Sequence, residues 1–145
     1  MFRFVKGMIA FREAHPSLAR GRFLREDVSW YGVDGPLDLG YCSHTFAFGL
    51  HGASQGDRDI YAMINAYWQD LKFRIQEGQA SNWRRVIDTA KSSPLDLFEA
   101  GSEETAVFAG ILRSGEIRRA SPGQSVCPAG RVAQRVSWVV FVNTI

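Results

Sequence analysis

Aromatic residues are the side chains of this sequence that are best suited to bind a ligand, because an exposed ring can stack on the apolar face of a sugar. Trp83 and Trp138 alternate with polar neighbours in strand-like runs, which predicts that both lie in the core. Trp68 follows a strand-like run at a predicted hairpin turn, from which a ring can project into solvent. The predicted carbohydrate-binding residues are Trp68, Trp30 and Tyr31.

Acidic residues and histidines offer a second, weaker set of candidates. Asp57 and Asp59 flank an arginine in a turn-like segment, where carboxylates usually bond to their own backbone or to water. No HExxH pair, GxSxG elbow or phosphate-binding glycine loop accompanies His44 or His51. The sequence therefore predicts no metal site and no cofactor. An enzyme site built from Asp57, Asp59, His44 or His51 is the least favoured hypothesis, and it requires a shared pocket.

Composition favours one soluble domain with a substantial core. The chain has 145 residues, 46% of them hydrophobic, and a formal net charge of +2. That charge is much smaller than the charge of the basic surfaces that bind nucleic acid. No apolar run reaches the ~18 residues of a membrane span. We therefore expect no nucleic-acid or membrane partner and a cytoplasmic location. The two cysteines, Cys42 and Cys127, are predicted to be buried thiols.

The first 16 residues predict one amphipathic helix. Apolar residues cover half of the helical wheel, and Pro16 ends the helix because it lacks the N–H group that the next turn requires. This face must pack on something, either the sheet of the same chain or a neighbouring molecule. The apolar residues in question are Phe2, Phe4, Met8, Ile9 and Phe11.

After this helix the pattern changes to short strands separated by Gly, Asp, Pro and Ser. A hairpin is predicted between residues 60–67, apolar on both faces, and residues 71–75, which alternate. Many short strands without repeating helices indicate a mainly β fold, an antiparallel β-sandwich at residues 17–145 preceded by the helix of residues 1–16. Residues 107–131 have no clear pattern. The predicted strands cover residues 28–33, 44–51, 60–67, 71–75, 83–88 and 136–142.

Four segments in order carry a resemblance to a known family. Residues 3–16 resemble the last barrel helix of the isoamylase and glycogen-debranching branch of the α-amylase superfamily. Residues 28–32, 60–68 and 83–89 are similar to the Trp-x-Gly strand, the central strand ending in Asn and the W-x-x-V-x-D-T strand of its C-terminal domain. Residues 104–131 show no such similarity.

The resemblance implies a non-catalytic role. The full-length family hydrolyses α-1,6 links of glycogen and starch, and its catalytic carboxylates lie on barrel strands that precede this helix. No residue of this chain corresponds to them, so we expect an accessory or structural C-terminal domain without the catalytic barrel, a remnant or separately encoded. Its apolar helix face then packs on its own sheet, on a barrel supplied in trans or in a homodimer. The alternative is a stand-alone module that binds α-glucan.

Overall fold

The mainly β fold with one N-terminal helix is confirmed. A computed structural model describes residues 2–19, 21, 26–67, 71–98, 104–105 and 137–144. Helix α1 spans Phe2–Ala14, and Pro16 begins a short second helix, α2, at Pro16–Ala19. The strands are β1 Val28–Tyr31, β2 Thr45–Leu50, β3 Ile60–Asn65, β4 Trp83–Asp88, β5 Glu104–Thr105 and β6 Ser137–Asn143.

All six strands form one antiparallel sheet in the order β1-β2-β3-β6-β4-β5. β6 lies in the middle, between β3 and β4, so a strand near the end of the chain joins the two halves of the sheet. A second sheet, as in a sandwich, is not among the described residues. Within these residues, no helix has the length and hydrophobicity that a membrane span requires.

The predicted hairpin between residues 60–67 and 71–75 is wrong. β3 already pairs with β2 on one side and β6 on the other, so neither edge is available to a third strand. Residues 71–75 instead cross one face of the sheet without strand structure. Their apolar members Leu71, Phe73 and Ile75 pack against that face, so the predicted inward positions of this segment are correct.

Each face of the sheet has its own apolar cluster, as the apolar run of β3 predicts. Helix α1 covers the first face, where Phe4, Met8 and Phe11 pack against a cluster that includes Ile60 and Val140. The second face carries a separate cluster under the segment of residues 71–75. Its buried members are Ala47, Tyr61, Met63, Phe73, Trp83, Val139 and Phe141.

Polar contacts fix α1 at both ends. Near its start, the Arg3 guanidinium pairs with the Asp96 carboxylate. Just after its end, His15 Nδ1 lies 2.9 Å from Asp57 Oδ1, and the Ser17 amide donates to Asp57 Oδ2 at 3.0 Å. Between these ends the helix lies so close to the segment after β4 that a Cβ at Gly7 would overlap the Leu97 side chain. The helix is therefore held in one rotation about its axis.

Candidate functional site

An open cleft of about 470 Å³ lies on the first face of the sheet, where β1, β2 and β3 meet the loop before β2. Its floor is apolar and includes Trp30, Phe46 and Ile64, whereas Asp38 and His44 bring polar groups to its lining. Volumes of about 300–1,000 Å³ with an apolar lining and few polar groups are typical of small-ligand sites. The cleft is thus large enough for a small ligand.

Trp30 dominates this cleft because half of its side chain remains exposed, at 51%. Its indole is tilted against Phe48, its cross-strand partner, at 5.6 Å between ring centroids, and against Phe46 at 6.0 Å. These two contacts support the indole on the sheet while much of its surface stays in solvent. A supported, exposed aromatic ring is the arrangement that stacking on a ligand requires.

The loop that borders the cleft is ordered by its own hydrogen bonds. Asp38 Oδ1 accepts a hydrogen bond from the Gly40 amide at 2.8 Å, and the Ser43 amide donates to the Gly40 carbonyl at 2.8 Å. Leu39 and Tyr41 project from this loop almost fully into solvent. Exposed apolar groups therefore gather at this end of the sheet, which is a feature of interaction surfaces.

Trp138 lies next to the cleft and contradicts its predicted core position. It pairs with Ile64 of the cleft floor, yet 50% of its side chain is exposed. The reason is the position of α1, which packs against the cluster containing Val140 and Val142 and leaves the earlier part of β6 uncovered. Trp83, in contrast, is buried as predicted, and its indole N–H donates to the Glu77 carbonyl at 2.9 Å.

Tyr31 lies on the opposite face from Trp30, because adjacent residues of a strand point to opposite faces. Its hydroxyl donates to Glu77 Oε1 at 2.7 Å. Burial and then the hydrogen bond to the Glu77 carboxylate raise the pKa of Tyr31 above its ordinary value. Tyr31 therefore does not line the cleft. The third predicted aromatic, Trp68, lies outside the described residues.

A polar group on the second face, the Glu77 cluster, consists of Ser29, Tyr31, His51 and Glu77. His51 Nε2 lies 3.1 Å from Ser29 Oγ and 3.6 Å from Glu77 Oε1. A nucleophilic triad uses both ring nitrogens, one for the serine and the other for the orienting carboxylate. Here both neighbours face the same nitrogen, so the geometry supports packing of the strand ends rather than activation of Ser29.

The acidic and histidine candidates do not share one pocket. Asp57 bonds to His15 and Ser17, as described for the end of α1, while Asp59 accepts a hydrogen bond from the Gly52 amide at 2.8 Å. His51 belongs to the Glu77 cluster, and His44 lines the cleft. Within the described ranges, no group of three or more potential ligands is placed to hold a metal ion.

Asp57 has an unusual environment for a carboxylate in a turn, with only 4% of its side chain exposed. Burial alone would raise its pKa, but the hydrogen bonds from His15 and from Ser17 outweigh that effect and lower the pKa below its ordinary value. This residue therefore anchors the helices to the sheet. The sequence placed Asp57 in a turn but gave no signal for the partners that lie 42 and 40 residues away.

The structure corrects the prediction for Cys42, which is exposed and disulfide-bonded rather than a buried thiol. It lies in the same loop as Gly40 and Ser43, at the border of the cleft. The prediction for Cys127 lies outside the described residues.

Comparison with known proteins identifies the relatives of this chain, although no family model matches it. It is 36% identical over 103 residues to isoamylase 3, chloroplastic, of Oryza sativa subsp. japonica, a match that covers 69% of this chain. The chain is a relative of the isoamylases. The isoamylases of Pseudomonas amyloderamosa and a Flavobacterium species are 29% and 31% identical over 115 and 104 residues, covering 73% and 60% of this chain.

The match spans only a small part of these enzymes, from 12% to 15% of their lengths. This isoamylase relative therefore corresponds to a fragment of each one. The resemblance inferred from the four sequence segments is confirmed at the level of the isoamylases.

Proposed function

We propose that this chain is a non-catalytic accessory part of an isoamylase-type debranching enzyme and that it binds the catalytic part through the outer face of α1. That catalytic part, on the same polypeptide or another, would hydrolyse α-1,6 links of glycogen or starch. The observation that supports this proposal most is an apolar row on α1 that the chain's own core leaves uncovered. The row consists of Phe2, Val5 and Ile9.

The helix has two apolar sides, only one of which packs on the sheet. Phe4, Met8 and Phe11 face the core, whereas Phe2, Val5 and Ile9 are exposed at 83%, 51% and 55%. Spacings of three and four residues place these three on one stripe. Complete burial of each would contribute about 1.5–3 kcal/mol, so the stripe is large enough to support a contact with another domain.

The fixed rotation of α1 favours this contact. Arg3 at one end and the Asp57 contacts at the other hold the helix on the sheet. A surface that is ordered before association loses little conformational entropy when it binds. This explains why the predicted apolar face divides into two: Phe4, Met8 and Phe11 serve the chain's own core, and Phe2 and Ile9 remain for a partner.

The chemistry of the described residues supports a non-catalytic role. Glycoside hydrolysis uses two carboxylates across a cleft, about 5–9.5 Å apart. Among the described residues that line the Trp30 cleft, Asp38 is the one carboxylate. Asp57 and Asp59 are engaged in anchoring contacts elsewhere, and the Glu77 cluster lacks triad geometry.

The test is association in solution with a related enzyme. Pseudomonas amyloderamosa isoamylase lacking the residues that match this chain is mixed with the 145-residue chain and examined by sedimentation velocity. We expect a 1:1 complex. The double variant Phe2→Ser/Ile9→Ser should lose it, while Ala10→Ser/Ala14→Ser, at exposed positions on a different side of the same helix, should keep it.

Failure of the chain to bind the truncated isoamylase, or equal binding by both double variants, would contradict the proposal. If the chain alone sediments as a dimer that only Phe2→Ser/Ile9→Ser dissociates, the row serves a homodimer instead, and the docking proposal is refuted.

A further inference from the structure

We propose that the cleft beside Trp30 binds an α-glucan chain, with one glucose ring stacked on the exposed part of the Trp30 indole. The choice of an α-linked glucan rests on the proposed function, whereas the site itself rests on the geometry of the cleft. This surface is separate from the apolar row of α1, so the two proposals can fail independently.

The stacking platform is the first observation. Trp30 is held against Phe46 and Phe48 at centroid distances of 6.0 and 5.6 Å, and about half of its surface is open to the cleft and solvent. The axial C–H groups of a glucose ring form an apolar patch that packs against such an indole. Two supporting phenylalanines keep the indole in place without a ligand, which reduces the entropy lost on binding.

The lining of the cleft has the mixed character that a sugar requires. Apolar side chains, including Ile64, form its floor, while Asp38, Ser43 and His44 place a carboxylate, a hydroxyl and an imidazole around it. Glucose has apolar faces and hydroxyl groups around its edge, so it can satisfy both surfaces at once. A purely apolar occupant would remove these polar groups from water without giving them partners, at a cost of about 1–3 kcal/mol for each group.

Asp38 is the polar group best placed to act as an acceptor. Its Oδ1 atom accepts the Gly40 amide, which fixes the carboxylate on the loop that borders the cleft. A carboxylate has two oxygens and about four lone-pair sites, so a sugar hydroxyl can donate to Asp38 without displacing that bond. Hydrogen bonds to charged acceptors are stronger than neutral ones, which gives the sugar a preferred orientation.

The experiment is isothermal titration of the 145-residue chain with maltoheptaose, with cellohexaose as the β-linked comparison. We expect saturable binding of maltoheptaose that Trp30→Ala weakens at least tenfold. The matched control is Trp138→Ala, because Trp138 has the same exposure and lies on the same face but not in the cleft lining. This control should keep the affinity within about twofold, and both variants are checked by thermal unfolding.

Asp38→Asn provides a second test on an exposed loop, where the amide can still accept the Gly40 bond. We expect it to weaken maltoheptaose binding at least threefold. If Trp30→Ala does not fold, this variant is the test of binding in the cleft. Three results would each overturn the proposal: no saturable heat with maltoheptaose, an equal loss in Trp138→Ala, or cellohexaose binding as tightly as maltoheptaose. Sedimentation with the truncated isoamylase uses no glucan, so it reports on docking alone.

Discussion

Replacement of Asp57 by asparagine should weaken the attachment of the N-terminal helices to the rest of the domain. Asp57 Oδ1 faces His15 Nδ1 at 2.9 Å and the Arg58 amide at 2.7 Å, and Oδ2 accepts the Ser17 amide at 3.0 Å. An asparagine side chain has one acceptor oxygen, and its NH2 group would point at a donor. At least one bond to the buried carboxylate is therefore lost.

The magnitude follows from the type of bond. A hydrogen bond to a charged group contributes about 1.5–3 kcal/mol, and leaving a buried donor without a partner adds to that cost. We expect Asp57→Asn to lower the free energy of unfolding by about 2–3 kcal/mol. For a domain of this size, this corresponds to a decrease in Tm of about 5–10 °C.

Urea unfolding followed by circular dichroism measures this free energy, and hydrogen exchange of the Leu18 amide reports on the helices directly. Asp34→Asn is the matched control, because Asp34 is exposed and lies 3.9 Å from Arg74. An exposed ion pair contributes little, so this control should change stability by less than about 0.5 kcal/mol. A value for Asp57→Asn no larger than that of Asp34→Asn would refute the anchoring role.

The same residue predicts a pH dependence. The pKa of Asp57 is lower in the folded chain than its ordinary value of 3.8. Its contribution to stability is therefore present above pH 3.8 and is lost as the pH falls through the lower, folded value. Wild-type chain should lose stability more steeply than Asp57→Asn in this acidic range. Parallel pH profiles for the two proteins would show that this carboxylate does not contribute.

Three further predictions concern the interior. Gly52→Ala should lower the free energy of unfolding by about 2 kcal/mol, because its Cβ would overlap the Asp57 and Arg58 carbonyl oxygens. The control Gly35→Ala has open space around the new Cβ and should leave this free energy nearly unchanged in urea unfolding. Similar values for the two variants would refute the close approach at Gly52. Burial raises the pKa of Tyr61 to about 12, so absorbance at high pH should show a tyrosine that ionises near pH 12, and its contribution to stability should be lost from pH 10 towards pH 12. Ionisation of every tyrosine near pH 10 would contradict this. Tyr31→Phe should cost about 1–2 kcal/mol through its bond to Glu77, whereas Tyr41→Phe, fully exposed, should cost nothing measurable, and equal values would contradict the contact.

Local patterns predicted most of the strands within one or two residues. The alternation in residues 44–51 and the β-prone residues 136–142 correspond to β2 and β6, and Trp83–Asp88 matches β4. These predictions succeed because side-chain alternation reflects the pleat of a half-buried strand. The order of the strands could not be predicted from such local patterns, because β6 inserts between β3 and β4 through pairings of residues far apart in sequence.

The cleft was only partly predictable for the same reason. Trp30 was a correct candidate for an exposed ring, but its supports Phe46 and Phe48 come from the neighbouring strand. The exposure of Trp138 depends on which part of the sheet α1 covers, and no local sequence pattern predicts that. Alternation within β1 did indicate that Trp30 and Tyr31 could not line the same site, because it places them on opposite faces of the sheet.

The central claim, an accessory part that assists an isoamylase without catalysis of its own, is tested most directly by release of reducing ends from glycogen. The truncated Pseudomonas amyloderamosa isoamylase is assayed alone, with the 145-residue chain and with its Phe2→Ser/Ile9→Ser variant, beside the chain alone. We predict no release by the chain alone, and an increase in the truncated enzyme's activity that the wild-type chain produces and the variant does not. Release of reducing ends by the chain alone, or no effect of the wild-type chain on the enzyme, would contradict the account.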